Sequence, residues 1–183
     1  MCAALAGLID IDVGTTSVTD YGVSIIGAKL PRLRKLSLSG CKVNDAAVTA
    51  LLSRVTQLHD LNLNGCGAAT AFLITALARV GAWLRTLSVS AWREHSRRDE
   101  GRKKDVGHDL DTGLNPDRQW GLTDKCLFRL AMGCPLLSYL DISGHHLTGS
   151  AGVRYLEQAQ QLQMVRMLRF GLWTVVVLSW HSH

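Results

Sequence analysis

Apolar residues recur along the chain in a fixed frame of eleven positions. The clearest copy runs from Leu33 to Val43, with apolar residues at positions one, four, six and eleven and a cysteine at position nine. The six copies, some weaker than others, begin at Leu8, Leu33, Leu58, Leu84, Leu137 and Leu162. Their spacings of 25, 25, 26, 53 and 25 residues indicate internal repeats.

Each copy predicts one short strand followed by one helix. Apolar and polar residues alternate in the middle of the frame, which is typical of a strand with one buried face. The polar pair Asn44-Asp45 follows, and it predicts a helix start because such side chains accept free N–H groups of the first turn. Apolar residues such as Val48 and Leu51 then recur at helical spacing, so helix and strand are expected to share one core.

The irregular step of 53 residues is predicted to be one repeat with an insertion rather than a decayed repeat. The polar pair of the long unit lies 13 residues before the next first leucine, as it does in the unit that begins at Leu33. The extra residues therefore fall between Trp92 and Leu122. The charges in segment 93–119 cancel, and we expect a disordered loop, with a functional loop as the alternative.

The frame resembles the consensus of a leucine-rich repeat with cysteine at its Asn/Cys position. Such units must stack to bury their apolar faces. We therefore predict an α/β fold: a right-handed leucine-rich-repeat solenoid in a horseshoe arc, with about six parallel strands on the concave face and helices on the convex face. The repeat domain is predicted at residues 5–170, and an apolar C-terminal tail, a candidate cap strand, at 171–183. Neither end resembles a polar capping repeat, so we expect part of a longer solenoid or an imperfect gene model.

Charge and cysteine content narrow the class of protein. The net charge of +5 is mild and the densest basic stretch is interleaved with acids, which argues against nucleic-acid binding. Five cysteines without a disulfide pattern favour a reducing compartment. The amino terminus lacks the basic start of a signal peptide, and the apolar run at 172–180 is shorter than the roughly 20 residues of a membrane span. We expect a cytoplasmic or nuclear protein that does not bind membranes.

Candidate chemistry is sparse. Cys41, Cys66 and His145 share one position of the frame, but structural zinc needs four ligands, commonly in paired spacing. We expect these side chains to bond to neighbouring backbone in the core. The sequence contains no nucleophile motif, phosphate loop or metalloprotease helix, so we predict no enzymatic activity, no metal and no cofactor.

The polar strand positions form the predicted partner-binding surface, because they point away from the core. Tyr, Met and Arg are enriched at the centres of protein interfaces, and they cluster near the last two strands. The alternative is that this cluster is only the frayed end of the array. The candidate residues are Tyr139, Asp141, Met164, Arg166, Leu168, Lys35, Asp60 and Asn62.

The segment 123–144 resembles the cysteine-containing leucine-rich repeat of F-box/leucine-rich-repeat proteins and of mitotic-exit antagonist proteins. The matching residues are Thr123, Asp124, Leu127, Leu130, Ala131, Cys134, Pro135, Leu137, Leu140 and Ile142. The likeness extends over roughly residues 8–168 apart from the insertion. Thr16, Trp92 and His145 stand where the family pattern has cysteine.

The resemblance implies a protein–protein interaction scaffold. In that family the repeats recruit substrates to an SCF-type ubiquitin ligase, and a separate F-box docks the ligase adaptor. Because the first repeat begins at Leu8, we expect no F-box in this chain. The partner is expected to be another protein, with substrate recognition for a ubiquitin ligase, and contact with ligase components, as the narrowest reading. The alternatives are a structural component of a larger assembly such as the ciliary axoneme, and a small-ligand receptor.

Overall fold

Strands and helices alternate along the chain in the computed structural model, which describes residues 7–66, 71–90, 122–145, 151–157, 159, 161–169 and 172–177. The predicted insertion at 93–119 lies outside the described residues. The elements are β1 (Asp10–Asp12), α1 (Asp20–Lys29), β2 (Lys35–Ser37), α2 (Asp45–Leu52), β3 (Asp60–Asn62), α3 (Ala71–Val80), β4 (Thr86–Ser88), α4 (Asp124–Gly133), β5 (Tyr139–Asp141), α5 (Ala151–Glu157), β6 (Met164–Arg169) and β7 (Leu172–Val177).

The strands form one sheet in chain order, and β1 to β6 are parallel. The α/β class and the six parallel strands are therefore confirmed. Each strand pairs with the next at the offset of the sequence frame: Asp10 faces Lys35, Lys35 faces Asp60, and Asp60 faces Thr86. A common register follows because a slip of one residue would turn every strand leucine away from the core.

The two strands on either side of the 53-residue step pair directly with each other. Thr86 of β4 faces Tyr139 of β5, so these strands are neighbours in the sheet although 53 positions separate them. The decayed-repeat alternative would call for a strand between them, and β4 and β5 bond to each other directly.

The core lies between the helix layer and one face of the sheet. Helix residues such as Val48, Leu51 and Leu127 belong to the same buried cluster as the strand leucines. Full burial of a leucine side chain stabilises the fold by about 1.5–3 kcal/mol, so this layer is the main source of stability. The middle strand residues buried there are Leu36, Leu61, Leu87, Leu140 and Val165.

The carboxyl ends of the strands, with the turns that follow, form what we call the turn rim (residues 13–18, 38–44, 63–66 and 142–145). Each turn places one residue in the left-handed backbone region at the same frame position. Glycine occupies it at Gly40, Gly65 and Gly144, with φ of 71°, 68° and 78°. Thr15 takes the place of glycine in the first turn, with φ of 57°, a conformation that is strained for a β-branched residue.

The start of the first helix differs from the expected cap. Thr19 stands at the N-cap of α1 but makes no side-chain cap bond, whereas Asn44 caps α2 by accepting from the Ala47 amide at 2.9 Å. Asp20 instead reaches the next unit: its Oδ1 accepts from the Asn44 amide at 2.9 Å and its Oδ2 from Asn44 Nδ2 at 2.5 Å. The polar pair therefore links neighbouring units as well as starting a helix, and sequence analysis missed that role.

Close approach of α3 and α4 depends on the absence of a side chain. Gly133 ends α4, and a Cβ added there would overlap the backbone of Ala78 in α3. The contact requires glycine for space rather than for backbone conformation.

The described part of the predicted tail joins the sheet. Residues 172–177 form β7, which pairs antiparallel with β6 from Met164 facing Val177 to Arg169 facing Leu172. β7 therefore runs in the opposite direction to the other six strands, and β6 has a hydrogen-bonded neighbour on both sides.

Candidate functional site

The candidate site is the face of the sheet opposite the helices, which we call the open face. It consists of the first and third residues of the three-residue strands and their counterparts in β6, Met164 and Arg166. The strand register places these residues side by side in two rows. The first row is Asp10, Lys35, Asp60, Thr86, Tyr139 and Met164, and the second is Asp12, Ser37, Asn62, Ser88, Asp141 and Arg166.

Two ion pairs join candidate residues across neighbouring strands. Lys35 Nζ lies 3.5 Å from Asp60 Oδ2, and Arg166 Nη1 lies 3.9 Å from Asp141 Oδ2. The lysine side chain is 58% exposed, so its pair with Asp60 is well solvated and contributes at most about 1 kcal/mol. Asp141 is buried, whereas the side chain of Arg166 is 40% exposed.

In the second row, the side-chain oxygens of Asp12, Asn62 and Asp141 accept hydrogen bonds from backbone amides that follow the same strand. The amides of Gly14 and Ser143 donate to Oδ1 of Asp12 and Asp141, at 2.8 and 3.0 Å. Asn62 Oδ1 accepts from the amide two residues later in the same way, at 3.0 Å. The bond from Gly14, followed by one from Ser37, lowers the pKa of Asp12. These oxygens are satisfied within the chain, so they shape the open face more than they offer free acceptors.

The largest side chains of the open face meet at β5 and β6. Tyr139 faces Met164 in register, and Asp141 faces Arg166. Met164 is 38% exposed and Tyr139 is half-buried. Leu168 lies in β6 opposite Trp173 of β7, and its side chain is outside the described part of the chain. Strand pairing on both sides of β6 holds this cluster in place.

The cysteine position of the frame serves the backbone of the preceding unit. Cys41 Sγ donates to the Val13 carbonyl at 3.2 Å, and Cys66 Sγ donates to the Leu38 carbonyl at 2.8 Å. His145 Nε2 lies 2.5 Å from the Val89 carbonyl, so this nitrogen carries the proton that is donated. Thr16 Oγ1 turns back to the Val13 carbonyl at 2.6 Å. This position satisfies strand-end carbonyls, as expected from the sequence.

Burial keeps two of the thiols protonated. It raises the pKa of Cys66 to about 11 and that of Cys134 to about 12. A protonated thiol is a hydrogen-bond donor and a poor nucleophile or metal ligand. The cysteines at 41, 66, 126 and 134 are free thiols.

The described residues contain no group of three or more His, Cys, Asp or Glu side chains arranged to hold a metal ion. In the same part of the chain, no helix has the length and apolar character needed to cross a bilayer.

The basic residues at the amino ends of the strands were not among the site residues predicted from the sequence. Arg34, His59 and Arg85 occupy the second frame position of three successive copies, so the repeat spacing carried the signal. The backbone places these residues in adjacent units, because the amides of His59 and Arg85 donate to the carbonyls of Arg34 and His59, both at 2.7 Å.

No protein-family model and no curated protein matches this chain.

Proposed function

We propose that the chain is a leucine-rich-repeat protein that binds another protein on the open face of its sheet. The curvature follows from element widths. Neighbouring parallel strands lie about 4.8 Å apart, whereas packed helices need about 8–10 Å. A row of units with strands on one side and helices on the other must therefore bend, with the strands inside. Right-handed crossovers complete the proposed horseshoe arc.

Three repeated features support a leucine-rich-repeat array. The strand register follows the sequence frame from β1 to β6. The left-handed residue recurs at one position of each described turn, from Thr15 to Gly144. The donors at the cysteine position recur with the same kind of acceptor, as for Cys41 and Cys66. Each feature joins one unit to the next, as stacking of repeats requires.

The observation that carries the binding proposal is the cluster of Tyr139, Met164 and Arg166 on the open face. An aromatic ring, a thioether and a guanidinium are the groups most enriched in the centres of protein interfaces. Asp141 holds the guanidinium from one side, which restricts its rotamers before a partner arrives. A partner with an apolar side chain beside a carboxylate would fit this cluster.

The narrowest form of the proposal is substrate recognition for an SCF-type ubiquitin ligase. It rests on the resemblance of segment 123–144 alone. The proposed location is the cytoplasm or nucleus, in keeping with free thiols at Cys41, Cys66 and Cys134.

The experiment is affinity capture with the full chain and its variants, with quantitative mass spectrometry of the bound proteins. Replacement of Tyr139 and Arg166 by Ala should remove a specific subset of bound proteins. Tyr21→Ala is the matched control, because Tyr21 is a 76% exposed aromatic residue on α1. Identical captured sets for the double variant and the control would refute the open face as the binding site.

A further inference from the structure

A second surface lies at the amino ends of the strands, where exposed arginines collect. We call it the arginine rim and define it as Arg32, Arg34, Arg54, Arg79 and Arg85. All five are exposed. The first three line one open depression of about 580 Å³, together with the polar residues Thr56 and Gln57.

The described residues leave this charge uncompensated. Their ion pairs are Lys35 with Asp60 and Arg166 with Asp141, both on the open face. Asp10, the other acid that begins a strand, also belongs to the open face. The remaining described aspartates at helix starts, at 20, 45 and 124, lie at the opposite end of the strands. The two rims of the sheet are therefore unlike in charge.

Helix stabilisation explains only part of this pattern. Arg79 lies in the last turn of α3, where a cation interacts favourably with the helix dipole. Arg32, Arg34 and Arg85 lie in the connections between helix and strand, beyond the reach of that effect. The backbone amides and carbonyls of Arg34 and Arg85 are engaged between units, as in the 2.8 Å bond from the Arg34 amide to the Ile9 carbonyl. Recognition at this rim must therefore come from the guanidinium groups.

We propose that the arginine rim binds an acidic segment of a partner protein. Guanidinium groups bind carboxylates in a bidentate geometry and remain charged at every physiological pH. Arg34 and Arg85 are separated by two strand spacings, which is about 10 Å, or about three residues of an extended peptide. The favoured ligand is therefore an extended chain of polyproline II type, in which every third side chain lies on the same side, with a carboxylate at about every third position.

Apolar side chains beside the arginines favour a peptide over a simple anion. Ile9 is 53% exposed and Trp83 is 52% exposed. The Trp83 ring lies 6.5 Å from that of His59, with an interplanar angle of 27°, so its orientation is supported. Aliphatic or aromatic residues between the carboxylates could pack there. The rim spans few strands, which suits a short peptide better than a duplex that engages about 6–10 phosphates.

This inference goes beyond the proposed function, because it names a second surface and the chemistry of its ligand. The proposal for the open face and the proposal for the arginine rim can be refuted independently of each other. Loss of partners on Tyr139→Ala tests the open face, and that variant should leave binding at the arginine rim unchanged.

The test is fluorescence anisotropy with the full chain and a labelled peptide of about 12 residues that carries glutamate at every third position. A peptide with glutamine at those positions is the uncharged control. The protein variant is Arg34→Gln with Arg54→Gln, and its match is Lys42→Gln with Lys125→Gln. The match removes the same charge from two exposed positions away from the arginine rim, one in the turn rim and one in the first turn of α4. Circular dichroism of every variant checks that the chain is folded.

We expect the glutamate peptide to bind and the glutamine peptide not to bind. The arginine variant should bind roughly tenfold more weakly, and the lysine variant within about twofold of the parent chain. Equal weakening by both variants, or no binding of the glutamate peptide, would overturn the proposal. So would tighter binding of a single-stranded oligonucleotide, inorganic phosphate or phosphatidylserine vesicles than of the peptide, measured in parallel.

Discussion

The turn rim and the arginine rim lie at opposite ends of the same strands and use polar side chains differently. At the turn rim, Asp20 binds Asn44 of the next unit and Cys66 binds the Leu38 carbonyl of the previous one. At the arginine rim, Arg34 makes no ion pair within the described residues and stays exposed. Polar side chains such as Asp20 and Cys66 thus join units at the turn rim, whereas the guanidinium group of Arg34 is left for solvent or a ligand within the described residues.

The difference shows how a repeated fold can separate stability from binding. The hydrogen bond from the cysteine position to the preceding unit recurs at Cys41, Cys66 and His145, so its loss weakens an interface between units. An exposed cation contributes little to folding, so it can vary without unfolding the array.

Gly133→Ala should destabilise the chain by about 3 kcal/mol, because overpacking at a rigid contact forces backbone shifts. The added methyl group would overlap the Ala78 backbone in α3. The measurement is equilibrium unfolding in urea. Gly7→Ala is the matched control, since nothing lies within 4 Å of the added Cβ there. A loss as small as that of the control would mean that helix packing near the arginine rim is not tight.

Cys66→Ala should lower the free energy of unfolding by about 1.5 kcal/mol, because the Leu38 carbonyl loses its donor. Cys66→Ser keeps a donor at that position and should recover part of the loss. Urea unfolding of both variants measures the difference. If serine and alanine are equally destabilising, packing of the sulfur rather than its hydrogen bond holds the units together.

The Cys66 contribution should also depend on pH. Its pKa is raised from 9.0 to about 11, chiefly by burial, so folding favours the protonated thiol. The stabilisation is complete below the unfolded value of 9.0 and is lost as pH rises through about 11. The stability gap between the parent chain and Cys66→Ser should therefore narrow over this range. A gap that widens with pH would show that the thiolate is favoured in the folded chain.

The sequence predicted the parts of the molecule that depend on repetition. Leucine spacing alone indicated the strand order and register, because one core face admits one register. The bond from Cys66 to backbone was likewise predictable, since one frame position has one environment. The contact of Asp20 with Asn44 was not predictable in this way, because it depends on the distance between units, which a frame does not contain.

Placement of the open-face residues was predictable, whereas the rest of their surroundings was not. Alternation along each strand put Tyr139 and Arg166 on one face. The pairing of Arg166 with Asp141 and the strand pairing of residues 172–177 depend on how the last units meet. Arg34 and Arg85 were overlooked because the frame allows any residue at their position. Residues at the same position of successive units nevertheless lie side by side and together form a surface.

Asp20→Ala should lower the free energy of unfolding by about 1 kcal/mol, because Asn44 loses two bonds at a solvated site. Asp10→Ala is the matched control, as it removes the same charge from an exposed strand position. Thermal unfolding at fixed pH compares the two variants. An equal effect would trace the loss to net charge, and the link between units would then contribute nothing measurable.

Arg34→Gln with Arg85→Gln should change the free energy of unfolding by less than about 0.5 kcal/mol, the smallest effect of the series. The two guanidinium groups are exposed and make no ion pair within the described residues, so their removal breaks no bond shown there. Relief of repulsion among neighbouring arginines should offset any loss of packing by their aliphatic stems. Lys35→Gln is the informative comparison, because this lysine, next in the chain to Arg34, contacts Asp60 at 3.5 Å and its loss should be slightly larger. If the double variant lost more than about 1 kcal/mol in urea, the arginines would support the fold and the distinction between the two rims would fail.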